Sequence, residues 1–420
     1  MSSSRQVGFP YEYLIVAALC LINFGPVSFC LSCAGIFYTP VAADIGTSPA
    51  TLSYFLAAFS ISMILVLTPL GKLFNRIDCR IIMTASIAVI AVCFVGLSFV
   101  QADWQFLLLA FVMGFGLTSC VYLAPPILVN RWFSKRAGFF IGIIMAFTGV
   151  GGMLWASVGG ALIAGIGWRA TYLVFAALTA AFGLPCTLFV LKDRPSVVGR
   201  VPNGYDPDSE SATAYEQAGI DAATARKSAS FFALLAFSLI ISLNVYVYGM
   251  IPSYVATLPV ASELPLLGAI ASSCAMAASV VAKMMWGGLG EKNILATVVA
   301  ACALAVAGLV AFATAPGQWL LICAAAVAYG MIYGEQTVFC PIVTRQFYGM
   351  RSYGELYSTV STVICVGVIA SSFIGGTIVN VAGSYLAMFA FIGGALVLAC
   401  LLLALAIRLN AKHKNAEAQA

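Results

Sequence analysis

Charged residues are scarce in this chain. Of its 420 residues, 8% are Asp, Glu, Lys or Arg, whereas 62% are hydrophobic. A soluble domain carries roughly 25% charged residues, so this chain cannot present a water-facing surface over most of its area. Membrane-spanning strands are excluded too, because the apolar runs are too long and do not alternate with polar residues. The composition therefore predicts a polytopic, all-α membrane protein.

Histidine is nearly absent, with His413 the only one in the sequence. The 13 cysteines are scattered through apolar stretches, and only Cys30 and Cys33 form a close pair. We interpret them as small buried residues at helix contacts, since one imidazole cannot build a metal site. No nucleophile–base set is visible either, so the sequence predicts no enzyme, no metal and no cofactor.

Twelve apolar stretches are near or above the roughly 20 residues that a spanning helix needs. One long polar insert, residues 193–228, separates six stretches in 1–192 from six in 229–420. Turn formers at its start and acidic residues in its middle indicate a solvated linker. We call the stretches predicted spans 1 to 12: 13–39, 48–70, 81–101, 104–130, 137–164, 169–191, 229–257, 263–289, 294–315, 317–344, 355–382 and 384–408.

Basic residues are distributed unevenly between the two sets of loops. One set, with both termini, holds 18 of the 20 Lys and Arg residues, while the other holds Asp44, Asp103, Glu263 and a single base, Arg169. Because short cytoplasmic loops carry the excess of Lys and Arg, we predict cytoplasmic termini and location in a cell (inner) membrane. The net charge of +5 reflects this bias rather than nucleic-acid binding. We expect a monomer.

The chain repeats itself at an offset of 216 residues. GKLFNR at 71–76 returns as GGLGEK at 287–292. Glycines and prolines recur where the backbone is constrained, which predicts two six-helix halves in the same orientation. In such parallel repeats the substrate site lies between the halves near the membrane midplane, and one half rocks against the other. The further matches at this offset are Gly114 with Gly330, Pro125 with Pro341, Gly138 with Gly354, and Gly167 with Gly383.

The loop after predicted span 2, GKLFNRIDCR, resembles the signature Gly-x-Leu-x-Asp-Arg-x-Gly-Arg-Arg/Lys of the major facilitator superfamily. Asn75 replaces the signature aspartate, and Asp78 replaces its second glycine. The resemblance implies the twelve-helix fold of that superfamily and a latch on the cytoplasmic side, in which the family aspartate makes charge contacts. The gating residues implied are Gly71, Asn75, Arg76, Arg80, Gly287, Glu291 and Lys292.

A narrower likeness lies at 130–152, NRWFSKRAGFFIGIIMAFTGVGG. It is similar to the aromatic, basic-pair and Gly-x-x-x-Gly stretch of the oxalate/formate antiporters and related monocarboxylate porters, and 349–354 also suits those families. This resemblance implies a small organic anion as substrate. The glycines permit close helix packing, which can be purely structural or can form the surface that slides.

Lys283 is a cation well inside predicted span 8, roughly 12 Å from the following loop. Its neighbours Ala278, Ser279 and Ala282 are small and leave room for a ligand. The resemblance implies a carboxylate-binding role, since carboxylate-transporting relatives place a cation here. The alternative is a lysine that extends to the interface. Residues 354–382 lack the second cation of the oxalate-transporting relatives, so a monoanion fits better than a dicarboxylate.

Glu335 lies some ten residues before the basic end of predicted span 10. An ionised carboxylate is costly there, so we expect it to be protonated, paired or both. It can couple protons, pair with Lys283, or serve as a protonated structural residue bonded to a neighbouring helix. The related families usually have a small residue at this position.

Several polar and aromatic residues are further substrate-binding candidates. On a continuous helix Tyr329, Tyr333 and Gln336 share one face, with Glu335 about 120° away. The resemblance to the major facilitator superfamily implies that predicted spans 1, 4, 7 and 10 line the cavity. Polar and aromatic residues on spans 4 and 7 therefore give three more candidates. Each can instead be a packing residue or an interfacial anchor. The three are Tyr122, Asn244 and Tyr248.

These observations favour a secondary active transporter of a small organic monocarboxylate, working by proton symport or anion exchange. Its partners are then the anion, protons and the lipid bilayer. One alternative is an efflux pump for larger apolar compounds. A non-transporting membrane sensor is the other, although the insert at 193–228 is small for an output domain.

Overall fold

A computed structural model describes residues 10–48, 51–52, 54–204, 219–264, 266–314 and 317–419. Its helices confirm the predicted all-α membrane fold. Six membrane-crossing helices precede the insert at 193–228 and six follow it, while the acidic middle of the insert, 205–218, lies outside the described residues. The twelve are α1 (Tyr11–Ile45), α2 (Phe55–Leu73), α3 (Cys79–Ser98), α4 (Asp103–Trp132), α5 (137–166), α6 (168–190), α7 (Ala229–Ala256), α8 (Leu267–Lys292), α9 (Ile294–Thr314), α10 (319–348), α11 (Tyr353–Ala382) and α12 (Tyr385–Gln419).

Nine of the described segments are individually long and apolar enough to cross a membrane. One of them, Ala137–Val190, has 54 residues and would be roughly 80 Å long if straight, far more than one bilayer crossing. It breaks at Gly167, whose φ of 80° and ψ of 162° are not helical, into α5 and α6. The two remaining crossings are α2, which is shorter, and α10, which is interrupted.

Among the described residues, α1, α4, α7 and α10 are interrupted partway along their length. In α1 and α4 the helix widens into π-turns at Asn23–Val27 and Ser119–Leu123. Between Ser242 and Val245 α7 breaks into two segments. The break in α10 follows Gly330 and includes Gly334 with a φ of 75°. Irregular backbone at membrane depth is tolerated where it is buried in protein or lines a cavity, so these breaks mark the interior between the halves.

Each half has its own aromatic core. In the first half Phe29 stacks on Phe175 with ring centroids 4.5 Å apart. In the second half Tyr254 packs edge-on against Phe389 at 5.0 Å, and its hydroxyl donates to the Phe312 carbonyl at 2.5 Å. Such buried aromatic pairs stabilise each bundle internally. The boundaries of the halves at 192 and 229 stay a prediction.

The halves meet closely at the membrane face whose loops are basic, here called the basic face. A Cβ on Gly138 of α5 would lie 2.6 Å from the backbone oxygen of Gly287 in α8. Beside this contact the Glu291 carboxylate accepts a hydrogen bond from the Gly138 N–H at 2.8 Å. We call this contact the α5–α8 seam. Only glycine permits so close an approach, so the repeated glycines at 138 and 287 are packing requirements.

A second contact, the α2–α11 seam, mirrors the first at the 216-residue offset. A Cβ on Gly71 would lie 2.7 Å from the Gly354 carbonyl oxygen. The amide oxygen of Asn75 lies 3.2 Å from the position of a Cβ on Gly354. Gly71 thus takes the place of Gly287, and Asn75 that of Glu291. The two seams together close the basic face in this structure.

The α5–α8 seam makes one packing prediction. A Cβ on Gly142 would overlap the backbone oxygen of Lys283, whereas one on Gly160, also in α5, meets open space. We expect Gly142→Val to force the helices apart, with an overpacking cost of about 1–3 kcal/mol. Thermal unfolding of the purified protein measures this, and Gly160→Val is the matched control. Equal unfolding midpoints for the two variants would contradict the close packing described here.

Candidate functional site

The side chain of Lys283 in α8 reaches the break in α10. Its Cε and Nζ atoms each lie 3.4 Å from the position of a Cβ on Gly334, inside the α10 break. The small residues that the sequence placed beside it, Ala278, Ser279 and Ala282, are buried. The bilayer-facing stripe of α8 is formed by other residues, with Val281 60% exposed. The ammonium is therefore directed inward, which favours a ligand-binding role over extension to the interface.

Glu335 follows Gly334 directly and is 0% exposed. Neither of its carboxyl oxygens has a hydrogen-bond partner among the described residues. Lys283 is the charged group that acts on this carboxyl electrostatically, although the two make no direct ion pair in the described part of the chain. A buried polar group without a partner is costly and indicates a site where a proton, ligand or water binds.

The interpretation of α10 as one continuous helix was wrong. The first segment ends at Gly330 and the second starts at Gln336, with turns between them. The calculated angle between Glu335 and the tyrosine face therefore has no meaning, because the helical period is lost across the break. The break itself places Glu335 beside Lys283, which the helical wheel could not predict.

Two tyrosines stack across the breaks of α7 and α10. The ring centroids of Tyr248 and Tyr333 lie 3.9 Å apart with an interplanar angle of 23°, and both side chains are half-buried. Tyr122 of α4 lies close to Cys365 of α11, in the other half, and close to Tyr333 of α10. Tyr122, Tyr248, Tyr333 and Lys283 thus converge from four helices. Nothing in the sequence pattern singled out Cys365.

The remaining candidates stabilise this arrangement of side chains. Tyr329 is fully buried, and its hydroxyl donates to the Asn244 carbonyl at 2.5 Å. The Asn244 amide donates to the Ile241 carbonyl at 2.5 Å, which ties the α7 break together. Gln336 is buried, and its side-chain oxygen lacks a described partner. Tyr329 and Asn244 therefore join the α7 break to α10, and so set the positions of the two stacked tyrosines.

The predicted gating residues divide into two groups. Gly71, Asn75, Gly287 and Glu291 form the seams described above. The others lie outside them: Arg76 and Lys292 are exposed, and Arg80 donates to the Leu188 carbonyl within its own half.

The sequence patterns did not predict a group of polar contacts that Arg345 makes between the halves. Arg345 at the end of α10 donates to the Asn130 side chain at 3.0 Å and to the Ser134 carbonyl at 2.6 Å. Its guanidinium also lies 3.8 Å from Glu291. One of many basic residues in these loops, Arg345 carried no distinguishing signal.

Two helical halves, interrupted helices that meet around a polar centre, and paired seams on one face are features of a membrane transporter. The sequence model of the Major Facilitator Superfamily matches residues 20–344, and the chain belongs to that family. This confirms the predicted fold and the prediction of a transporter rather than an enzyme.

Monocarboxylate transporter 12 of Rattus norvegicus is 24% identical over 369 residues, covering 82% of this chain and 75% of the relative. The glucose-6-phosphate exchanger SLC37A2 of Xenopus tropicalis is 29% identical over 121 residues, covering 28% of this chain and 24% of the relative. Two solved structures share the fold. The proton:xylose symporter XylE has a TM-score of 0.73 at 13% identity, covering 94% of this chain and 95% of that chain. FucP in the outward conformation has a TM-score of 0.69 at 16% identity, covering 94% of this chain and 99% of that chain.

Proposed function

We propose that this transporter carries a small organic monocarboxylate together with a proton. The observation that carries the proposal is the placement of the Lys283 ammonium at Gly334, next to the buried and unpartnered carboxyl of Glu335. A cation supplies the binding energy for a carboxylate, and a neighbouring acid supplies a place for a proton. The resemblance to a monocarboxylate transporter supports the same substrate class.

The surroundings of Lys283 favour a single carboxylate. No Lys or Arg occurs between Tyr353 and Ala382 in α11, so a second anionic group would be left without a counter-charge at large cost. The stacked pair of Tyr248 and Tyr333 offers an aromatic wall for the apolar part of a substrate. The size of the substrate is set by the space between this wall and the ammonium.

Coupling follows from the charge balance of the two groups. In the proposed cycle the empty site holds Glu335 ionised, with the ammonium of Lys283 as its counter-charge. An arriving carboxylate takes over the ammonium, so an ionised Glu335 becomes an uncompensated buried charge and takes up a proton on one carboxyl oxygen. Anion and proton then favour each other's binding, and by linkage each raises the affinity for the other.

Rocking of the halves completes the cycle. In this cycle the empty site (Lys283 charged, Glu335 ionised) and the loaded site (Lys283 charged, substrate anion bound, Glu335 protonated) have the same net charge. Moving the loaded site through the apolar interior therefore adds no uncompensated charge. Opening of the α5–α8 and α2–α11 seams exposes the site at the basic face. We propose that this face is cytoplasmic, from the excess of basic residues in its loops.

Uptake into proteoliposomes tests the proposal. Labelled mono- and dicarboxylates are offered with and without an imposed pH gradient, acid outside. We expect monocarboxylates to accumulate only with the gradient and dicarboxylates to be poor substrates. Transport of no carboxylate would refute the substrate class. Strict one-for-one exchange that ignores the pH gradient would refute proton coupling and favour anion exchange.

A further inference from the structure

A groove of about 940 Å³ opens at the basic face beside the α5–α8 seam, apart from the Lys283 site. The loop between α4 and α5 and the start of α5 form one wall. The ends of α8 and α10 form the other, so the two halves of the protein face each other across the groove. Its polar residues include Lys135, Arg136, Lys292, Arg345 and Glu291.

Three of the cations in the groove have no anionic partner among the described residues. Lys135, Arg136 and Lys292 are exposed, and none takes part in an ion pair or side-chain hydrogen bond within the described ranges. Glu291 supplies the negative charge of the lining, and its carboxylate is already held by the Gly138 N–H and by Arg345. The groove therefore has an excess of positive charge.

The backbone at the groove mouth is unusual. Arg136 has a φ of 61° and a ψ of 21°, and it is the one non-glycine residue with a positive φ in the described part of the chain. An arginine rarely adopts this left-handed conformation, and residues held in such conformations cluster at functional sites. Here it begins α5 and brings both Lys135 and Arg136 into the lining of the groove.

Apolar residues continue the groove into the membrane. Val281, Met285 and Leu289 follow one another at four-residue spacing on α8 and are 60%, 37% and 42% exposed. Lys292 comes less than one turn after Leu289 on the same side of the helix. Exposed apolar side chains on a spanning helix face lipid chains. A cationic mouth above such a stripe complements an anionic lipid, whereas a soluble anion would use only the mouth.

We propose that an anionic phospholipid from the leaflet at the basic face binds in this groove. Its phosphate lies between Lys135 and Arg136 of one half and Lys292 of the other, and an acyl chain lies along Val281, Met285 and Leu289. Basic pockets between transmembrane helices are suited to such headgroups. Because the phosphate bridges the halves, the bound lipid stabilises the closed α5–α8 seam relative to the open one.

Native mass spectrometry of the full-length protein in detergent tests the site. Phosphatidylglycerol and phosphatidylcholine with identical chains are the probes. We expect wild type to retain phosphatidylglycerol in preference, and the triple variant Lys135→Gln, Arg136→Gln, Lys292→Gln to bind it at least about tenfold more weakly. The matched control Lys72→Gln, Lys227→Gln, Arg408→Gln removes equal charge from exposed positions outside the groove.

Three results of the binding experiment would overturn the proposal. They are equal retention of the two lipids by wild type, an equal loss in both triple variants, and displacement by glycerol 1-phosphate at the same concentration. The last result would mean that the groove binds a soluble phosphate rather than a lipid.

Amide hydrogen exchange at 137–142 tests the bridging role without any substrate. The Gly138 N–H, which donates to Glu291, reports on the closed seam. Phosphatidylglycerol is expected to slow its exchange severalfold in wild type and not in the groove variant. Unchanged exchange in lipid-bound wild type would refute the bridging of the halves.

Discussion

Lys283→Ala is expected to lower the uptake of monocarboxylates strongly and to leave the protein folded. The variant removes the cation that we place against the substrate carboxylate. Loss of one partner of a desolvated charge pair costs about 2–5 kcal/mol, so transport at low substrate concentration falls by about 30-fold to several thousand-fold. Initial uptake rates in proteoliposomes measure the effect, with thermal unfolding as the check on folding.

Two further variants sharpen this result. Lys283→Arg keeps the positive charge but replaces the compact ammonium with a planar guanidinium, so we expect this variant to retain part of the activity. Lys72→Ala removes an exposed lysine of α2 and is expected to transport like wild type. Full activity of Lys283→Ala would show that no substrate carboxylate depends on this lysine.

Glu335→Gln separates exchange from accumulation. Glutamine mimics the protonated acid, so the variant is expected to exchange substrate across the membrane without carrying a proton. With acid outside by two pH units, one coupled proton supports an accumulation ratio of about 100 in wild type. The variant is expected to reach a ratio of about 1 under the same gradient, since it has no coupling. Labelled substrate inside the liposomes at steady state measures both.

Glu263→Gln is the matched control, because Glu263 is an exposed acid at the end of a short helix between α7 and α8, outside the site. It is expected to accumulate substrate like wild type. If Glu335→Gln also accumulates substrate, Glu335 is a structural residue and the proton path lies elsewhere. A variant that neither exchanges nor accumulates would place Glu335 in substrate binding instead of coupling.

Much of the fold was predictable because membranes impose simple rules. Apolar length alone located the spans, and repeated glycines and prolines revealed the two halves. The repeat also linked Glu291 to Asn75, and the structure places both at equivalent seams. The two seams were predictable because the close approach of two helices requires glycine at fixed positions, and such glycines can be read from the sequence.

The centre of the site was less predictable. Gly330 and Gly334 lie four residues apart in an apolar stretch, a spacing that a continuous helix tolerates equally well. The break therefore depends on tertiary contacts, which no sequence period records. Tyr329 illustrates the same limit, because its partner is the backbone carbonyl of Asn244 and a carbonyl has no sequence signature.

Proton movement during monocarboxylate uptake tests the central claim most directly. Wild-type proteoliposomes are loaded with a pH-sensitive dye, and labelled monocarboxylate is added without any initial pH gradient. We predict internal acidification in step with uptake, at about one proton per carboxylate, because Glu335 is protonated whenever the substrate occupies Lys283. Protein-free liposomes correct for passive entry of the neutral acid. Protein-dependent uptake with no acidification would contradict the account.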